Sequence, residues 1–259
     1  MNKKILLNPG PASTTESVRM SMMNPDICPR VTEFGLEIKK VREELINIFA
    51  NESYTSTLFS GSGTASVESV ISSVVVDNGK LLIVNNGSYG NRIIEIAKTY
   101  NLNVIEFKSS DKLPIDYSEI EDLLEKNTDI KYAAIVHSET SSGLLNDINK
   151  FYSITSKYKI ISIVDAMSSL GAIKIDLDRY KLDYICGSAN KNIQGMPGIS
   201  FVISRKKSLE KLKNKNSKSY YLDLYSENSF QEKNNQTRFT PVISSIYALK
   251  QALIELKNE

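Results

Sequence analysis

The sequence predicts an α/β fold: a mostly parallel seven-stranded sheet with helices on both faces. Three observations lead there. Short apolar runs recur at 54–60, 80–85, 103–107, 130–136, 160–165, 183–188 and 199–204. Between several of them, apolar residues repeat at helical spacing with charges between. Ser62, Tyr89, Thr140, Asp165 and Lys191 each fall just after a predicted strand, and in open α/β sheets ligands bind beyond the strand ends.

Composition narrows the function classes. The chain has 259 residues, 41% hydrophobic and 24% charged, with a formal net charge of +2. That balance gives no special affinity for nucleic acid or membrane. No apolar run approaches the roughly 18 residues of a spanning helix, and Ile5–Pro9 is too short an apolar core for a signal peptide. Cys28 and Cys186 lie far apart, so reduced, partly buried thiols in the cytoplasm are expected. His137 is the single histidine, which leaves no histidine-rich metal site. It reads as a satisfied buried histidine.

In chain order, residues 5–11 are extended and end in the Asn8-Pro9-Gly10-Pro11 turn, which can continue neither a helix nor a central strand. A short helix is expected over 15–23. Residues 26–31 form a loop whose Arg30 is either an anion-binding group or a solvated surface arginine. Phe34, Ile38, Val41, Leu45, Ile48 and Phe49 mark one face of a helix. Strand 54–60 runs into Ser60-Gly61-Ser62-Gly63-Thr64 and then a helix. Strand, Gly/Ser turn and helix make a phosphate cradle, because helix-start N–H groups and the helix dipole both favour an anion. The same turn also reads as a plain helix cap.

Strand 80–85 ends in Asn86-Gly87-Ser88-Tyr89-Gly90, with a helix from Asn91. A short strand over 103–107 and an amphipathic helix over 116–125 follow. Run 130–136 is near-continuously apolar, as in a strand buried on both sides, and helix 148–158 comes next. Residues 205–218 are lysine-rich without interleaved aromatics, so they read as a solvated helix and loop rather than a nucleic-acid surface. A final helix spans 244–257.

Two strand ends carry the chemistry. Run 160–165 places Asp165 at its C-terminal end, and run 183–188 leads to Lys191 in a turn that continues to Gly195-Met196-Pro197-Gly198. A partly desolvated lysine loses proton affinity and becomes a nucleophile able to form a Schiff base. A carboxylate at a neighbouring strand end could keep a pyridine nitrogen protonated. That pair suits pyridoxal 5'-phosphate. Taken alone, Lys191 would read as an ordinary loop lysine.

The stretches LLNPGP (6–11), DICPR (26–30), FSGSGTASVE (59–68), VNNGSYGNR (84–92), VHSETSSGLLN (136–146), IVDAMSSLGA (163–172), SANKNIQGMPG (188–198), LDLY (222–225) and RFTPV (238–242) occur in one order along the chain. At these residues it resembles the class V, fold type I aminotransferases. The resemblance implies pyridoxal phosphate on Lys191, with Asp165 at the ring nitrogen. It places Tyr89 against the ring and Thr140 near the phenolic oxygen. It gives Ser62, Gly63, Thr64 and Ser188 to the phosphate, joined by Thr240 from the partner of a homodimer. It implies 2-aminoethylphosphonate as amino donor and pyruvate as acceptor, with Arg30, and less strongly Arg92, for the phosphonate. An alanine– or serine–glyoxylate aminotransferase, or a non-catalytic protein of the same fold, are the competing readings.

The resemblance also divides the chain into an N-terminal segment, 1–20, belonging to a small lobe in relatives, and a large cofactor domain, 21–259. A C-terminal small domain carrying a substrate-binding arginine is absent from these residues. The expectation is therefore a cofactor domain that folds but turns over poorly alone.

Overall fold

The computed structural model describes residues 5–76 and 79–258. The first four residues of the N-terminal segment and Glu259 lie outside them. The elements in order are α1 (Glu16–Met20), α2 (Thr32–Phe49), β1 (Tyr54–Ser60), α3 (Gly63–Val74), β2 (Lys80–Asn85), α4 (Ser88–Thr99), β3 (Val104–Lys108), α5 (Tyr117–Lys126) and β4 (Ile130–Val136). A small hairpin, β5 (Ser138–Glu139) and β6 (Leu144–Leu145), precedes α6 (Ile148–Lys157). Then come β7 (Ile161–Asp165), β8 (Tyr184–Ser188), β9 (Ile199–Arg205), α7 (Lys206–Glu210), α8 (Leu224–Asn234) and α9 (Ile243–Lys257).

Seven strands form one sheet in the order β1-β9-β8-β7-β4-β2-β3. Only β9 runs against the others, pairing antiparallel with both β1 and β8. The reason is connection length. Residues 189–198 are too few to make a crossover, so the chain must double back after β8. As a result β1, β2, β4, β7 and β8 all end on the same edge.

Both faces of the sheet are covered. Leu82, Val84, Ala133, Ile135, Val164 and Ile185 pack with α2, α5, α6 and α9. The intervening residues Leu81, Ile83, Tyr132, Ala134, Ile163 and Cys186 pack with α3 and α4 on the other side. This period-2 alternation within continuous apolar strands accounts for the absence of a polar face. Truncating a fully buried side chain such as Ile71 or Phe34 is worth about 2–5 kcal/mol.

Several details differ from the sequence expectation. Helix α4 begins at Ser88 rather than Asn91, and the 138–145 hairpin was not foreseen. Cys28 is exposed and only Cys186 is buried. The lysine-rich stretch is not wholly solvated, since Leu209 and Leu212 anchor it to the core. Among the described residues no helix is long and apolar enough to cross a membrane.

Candidate active site

The edge where the parallel strands end holds a cleft of about 160 Å³. Strand β1 delivers Ser62, Gly63 and Thr64 to it, β2 delivers Tyr89 and Arg92, β7 delivers Asp165 and Met167, and β8 delivers Ser188, Asn190 and Lys191. A larger cleft of about 420 Å³ lies between the end of α2 and residues 170–178, but it gathers none of the sequence-predicted site residues.

Asp165 is buried, and its Oδ1 accepts the Met167 N–H at 3.0 Å. Burial pushes its pKa up to about 6; the Met167 hydrogen bond opposes that, Glu139 adds to it, and Arg92 and Lys191 pull it back. Lys191 is half-buried, and desolvation lowers its pKa against the pull of Asp165. Each of the two thus feels the other's charge across the cleft. The Lys191 turn is tied down by Ala189 N–H to Ile199 O at 3.0 Å and Gly195 N–H to Ala189 O at 2.8 Å. Its Nζ donates to Pro9 O at 3.3 Å. Gly10 sits so close that a Cβ there would lie 2.5 Å from Nζ, and its φ of +144° also favours glycine.

At the other end, α3 opens with Ser62 in extended conformation and no side-chain cap. Its first N–H groups are therefore left for a ligand. Gly63 leaves room for the Met167 side chain, whose Sδ would lie 2.5 Å from a Cβ there. Ser188 Oγ donates to Asn190 Oδ1 at 3.0 Å. The Arg92 guanidinium lies 4.8 Å from the Tyr89 ring centroid, a cation–π distance.

Not every expected residue lines this cleft. Thr140 does not; its hydroxyl donates to Ser168 Oγ at 2.8 Å, and Asn192 Nδ2 donates to Ser168 O at 3.0 Å. These bonds brace the loops that follow β4, β7 and β8 against one another. Arg30 is exposed and turned toward residues 236–238, donating to Thr237 O and, at 3.1 Å, to Arg238 O. Thr240 is exposed on the same outer segment.

Glu139 was missed. It is fully buried, and its carboxylate accepts the Tyr89 and Gly90 N–H groups, both at 3.1 Å. A signal existed: an acid three residues past an apolar strand, facing a glycine turn. His137 was misread. Its backbone is bonded, N–H to Asp165 O at 2.8 Å, but Nδ1 is buried without a partner.

Burial lowers the His137 pKa to about 4, with Asp147 opposing. The group binds its proton more weakly folded than unfolded. Stability linked to it is complete above pH 6.5 and is lost as pH falls toward 4, by about 3 kcal/mol at most. His137→Gln is expected to shift stability by a constant at neutral pH and to gain on the unaltered chain below pH 6. Denaturant unfolding at pH 7.5 and pH 4.5 measures this, and equal differences at the two values contradict it.

Among the described residues no group of three or more His, Cys, Asp or Glu is placed to hold a metal ion. The cleft does fit pyridoxal phosphate: its lining includes an amine, a buried carboxylate, an aromatic ring and an uncapped helix start for a phosphate.

The sequence model described as aminotransferase class-V matches residues 22–258. The chain is 40% identical over 258 residues to a 2-aminoethylphosphonate–pyruvate transaminase of Bacillus cytotoxicus, across 98% of this chain and 70% of that protein. It is 41% identical over 261 residues to a bifunctional phosphonoacetaldehyde hydrolase/aminoethylphosphonate transaminase of Clostridioides difficile, of which it spans 41%. Among solved structures, an alanine–glyoxylate aminotransferase from Nostoc sp. superposes with a TM-score of 0.91 at 25% identity, over 100% of this chain and 69% of that one.

Proposed function

The chain belongs to the class-V aminotransferase family, and from that premise we propose that it moves the amino group of 2-aminoethylphosphonate to pyruvate, giving phosphonoacetaldehyde and L-alanine. The family's cofactor is pyridoxal phosphate. The observation that carries the reading is that Lys191 and Asp165 line one cleft, each within the other's electrostatic reach, together with the bare start of α3. When bound, pyridoxal phosphate supplies an aldehyde that exchanges between amines and a ring that accepts an electron pair.

The remaining roles fall to this chain's side chains. Lys191 Nζ anchors the cofactor. Its amine would take a proton from the substrate carbon and return one on the far side of the transfer, as base and then acid. Desolvation, which lowers its pKa, suits it to that exchange. Asp165 holds a proton on the ring nitrogen, and its buried carboxyl is best satisfied when facing a cation. The N–H groups at Gly63 and Thr64, with the Ser62 and Ser188 hydroxyls, hold the phosphate. Tyr89 would support the ring, while Thr140, bonded to Ser168 outside the cleft lining, would brace the loops beside it.

Arg92 lines the cleft and is our first candidate for the substrate's phosphonate. Arg30 acts there only if a second copy brings it near, and Thr240 is assigned to the partner's phosphate in a homodimer. Residues 1–20 are assigned to the small lobe and 21–259 to the large domain. The working compartment in this reading is the cytoplasm.

The test is a half-reaction. The chain loaded with pyridoxal phosphate is mixed with 2-aminoethylphosphonate, serine or alanine, and the loss of the visible cofactor band is followed. Loss is expected to be fastest with 2-aminoethylphosphonate and to be reversed by pyruvate. Faster loss with serine or alanine, reversed by glyoxylate, assigns the chain to the other substrate class.

A further inference from the structure

We propose that Glu139 is a positioning residue that sets the angle and rigidity of the Tyr89 platform under the cofactor ring; this rests on the pyridoxal-phosphate reading above. Helix α4, which begins at Ser88, has no cap of its own, because its N-cap residue is Gly87. The cap comes instead from the loop after β4. Glu139 Oε2 accepts the Tyr89 N–H and the Gly90 N–H at 3.1 Å each, and Oε1 accepts the Ser141 N–H at 3.2 Å together with the Ser141 hydroxyl. Ser141 Oγ in turn accepts the Ser88 N–H at 2.9 Å. Both carboxylate oxygens receive hydrogens, so the group acts purely as an acceptor, as an ionised carboxylate does.

The arrangement is built for this contact. A Cβ at Gly87 would lie 2.4 Å from Glu139 Cγ and 2.5 Å from Ser141 Oγ, so only glycine lets the two loops meet. Glu139 has 0% exposure, which makes its bonds strong and their loss costly. An anion at a helix start is also favoured by the helix dipole. The three residues that α4 sends into the cleft, Tyr89, Arg92 and Ile93, lie in its first two turns. Their placement therefore depends on whether the first of those turns is fixed or frayed. Glu139 itself does not line the cleft, so it acts through Tyr89 and not on the reacting atoms.

The substitution Glu139→Gln keeps the length and removes one acceptor. Whichever way the amide turns, its NH2 faces an N–H donor. In the cofactor-free chain, amide exchange at Tyr89 and Gly90 is expected to rise about tenfold or more. In the loaded chain, the circular dichroism of the visible band is expected to fall by about half, and the cofactor to dissociate about tenfold faster. Gly87→Ala, which drives the carboxylate off the helix without touching it, is expected to give the same pattern. Ser141→Ala is a milder variant should those two fail to fold, with exchange at Ser88 expected to rise about threefold. Unchanged exchange, dichroism and dissociation in Glu139→Gln and Gly87→Ala, or in Ser141→Ala where it alone folds, overturn the proposal by itself. A visible band that never forms in the unaltered chain overturns the cofactor reading and, with it, this one.

Discussion

Lys191→Ala is expected to remove the visible band of the lysine-attached cofactor and to slow amino transfer by at least about 10³-fold. The cofactor-free chain is expected to fold as before. The two halves of this expectation come from the same contacts. The turn around Lys191 is held by backbone bonds, Ala189 N–H to Ile199 O and Gln194 N–H to Lys191 O at 2.9 Å, which alanine keeps. The side chain adds only a 3.3 Å bond from Nζ to Pro9 O. Burial already disfavours the charged amine, so its removal takes away an unfavourable term as well as a weak bond. Lys191→Arg is expected to be equally inactive, since a guanidinium stays protonated and cannot serve as nucleophile or base. Added ethylamine is expected to restore part of the proton transfer in Lys191→Ala and none in an unfolded chain. A persistent band in Lys191→Ala places the attachment elsewhere.

That Lys191 and Asp165 stand out so early is a matter of pattern. Continuous apolar strands broken by small residues place their ends by counting, and the two residues with the right chemistry sit at those ends. What local pattern could not supply is contact between distant segments. Arg30, read from its loop as either an anion site or a surface arginine and given to the phosphonate by the resemblance, has a guanidinium that meets carbonyls more than 200 residues away, from Thr237 and Arg238. Glu139 is only weakly marked for a related reason: its position past an apolar strand is a signal, but its partners are chiefly backbone N–H groups, which every residue has. The position of β1 at the sheet edge beside β9 follows from pairing across 139 residues, Ser60 with Ile199. The direction of β9 was available from the length of the 189–198 connection.

Asp165→Asn is expected to make the cofactor-free chain more stable at neutral pH and the loaded chain a poorer catalyst. The carboxyl has a folded pKa of about 6 against an ordinary value of 3.8, chiefly from burial. Between those values the folded state binds the proton that the unfolded state releases, so stability falls as pH rises through the window. Above pH 7 the full penalty is present, about 3 kcal/mol at most. Asparagine keeps an oxygen for the Met167 N–H and carries no charge, so the penalty goes. Thermal melts at pH 7.5 are expected to rise by several degrees, and the gain to vanish near pH 3.5. The sign is opposite to that of His137→Gln, which gains only in acid, although His137 and Asp165 are joined by one backbone bond. With cofactor the order reverses. A protonated ring nitrogen is the cation that the buried carboxylate lacks, so pyridoxal phosphate should raise the melting temperature of the unaltered chain more than that of Asp165→Asn. Amino transfer is expected to drop by at least about 10²-fold, the usual loss when one electrostatic partner of developing charge is removed. If Asp165→Asn proves less stable than its parent without cofactor, or gains as much from cofactor, then this carboxylate is a structural acid and the ring nitrogen must look elsewhere for its partner.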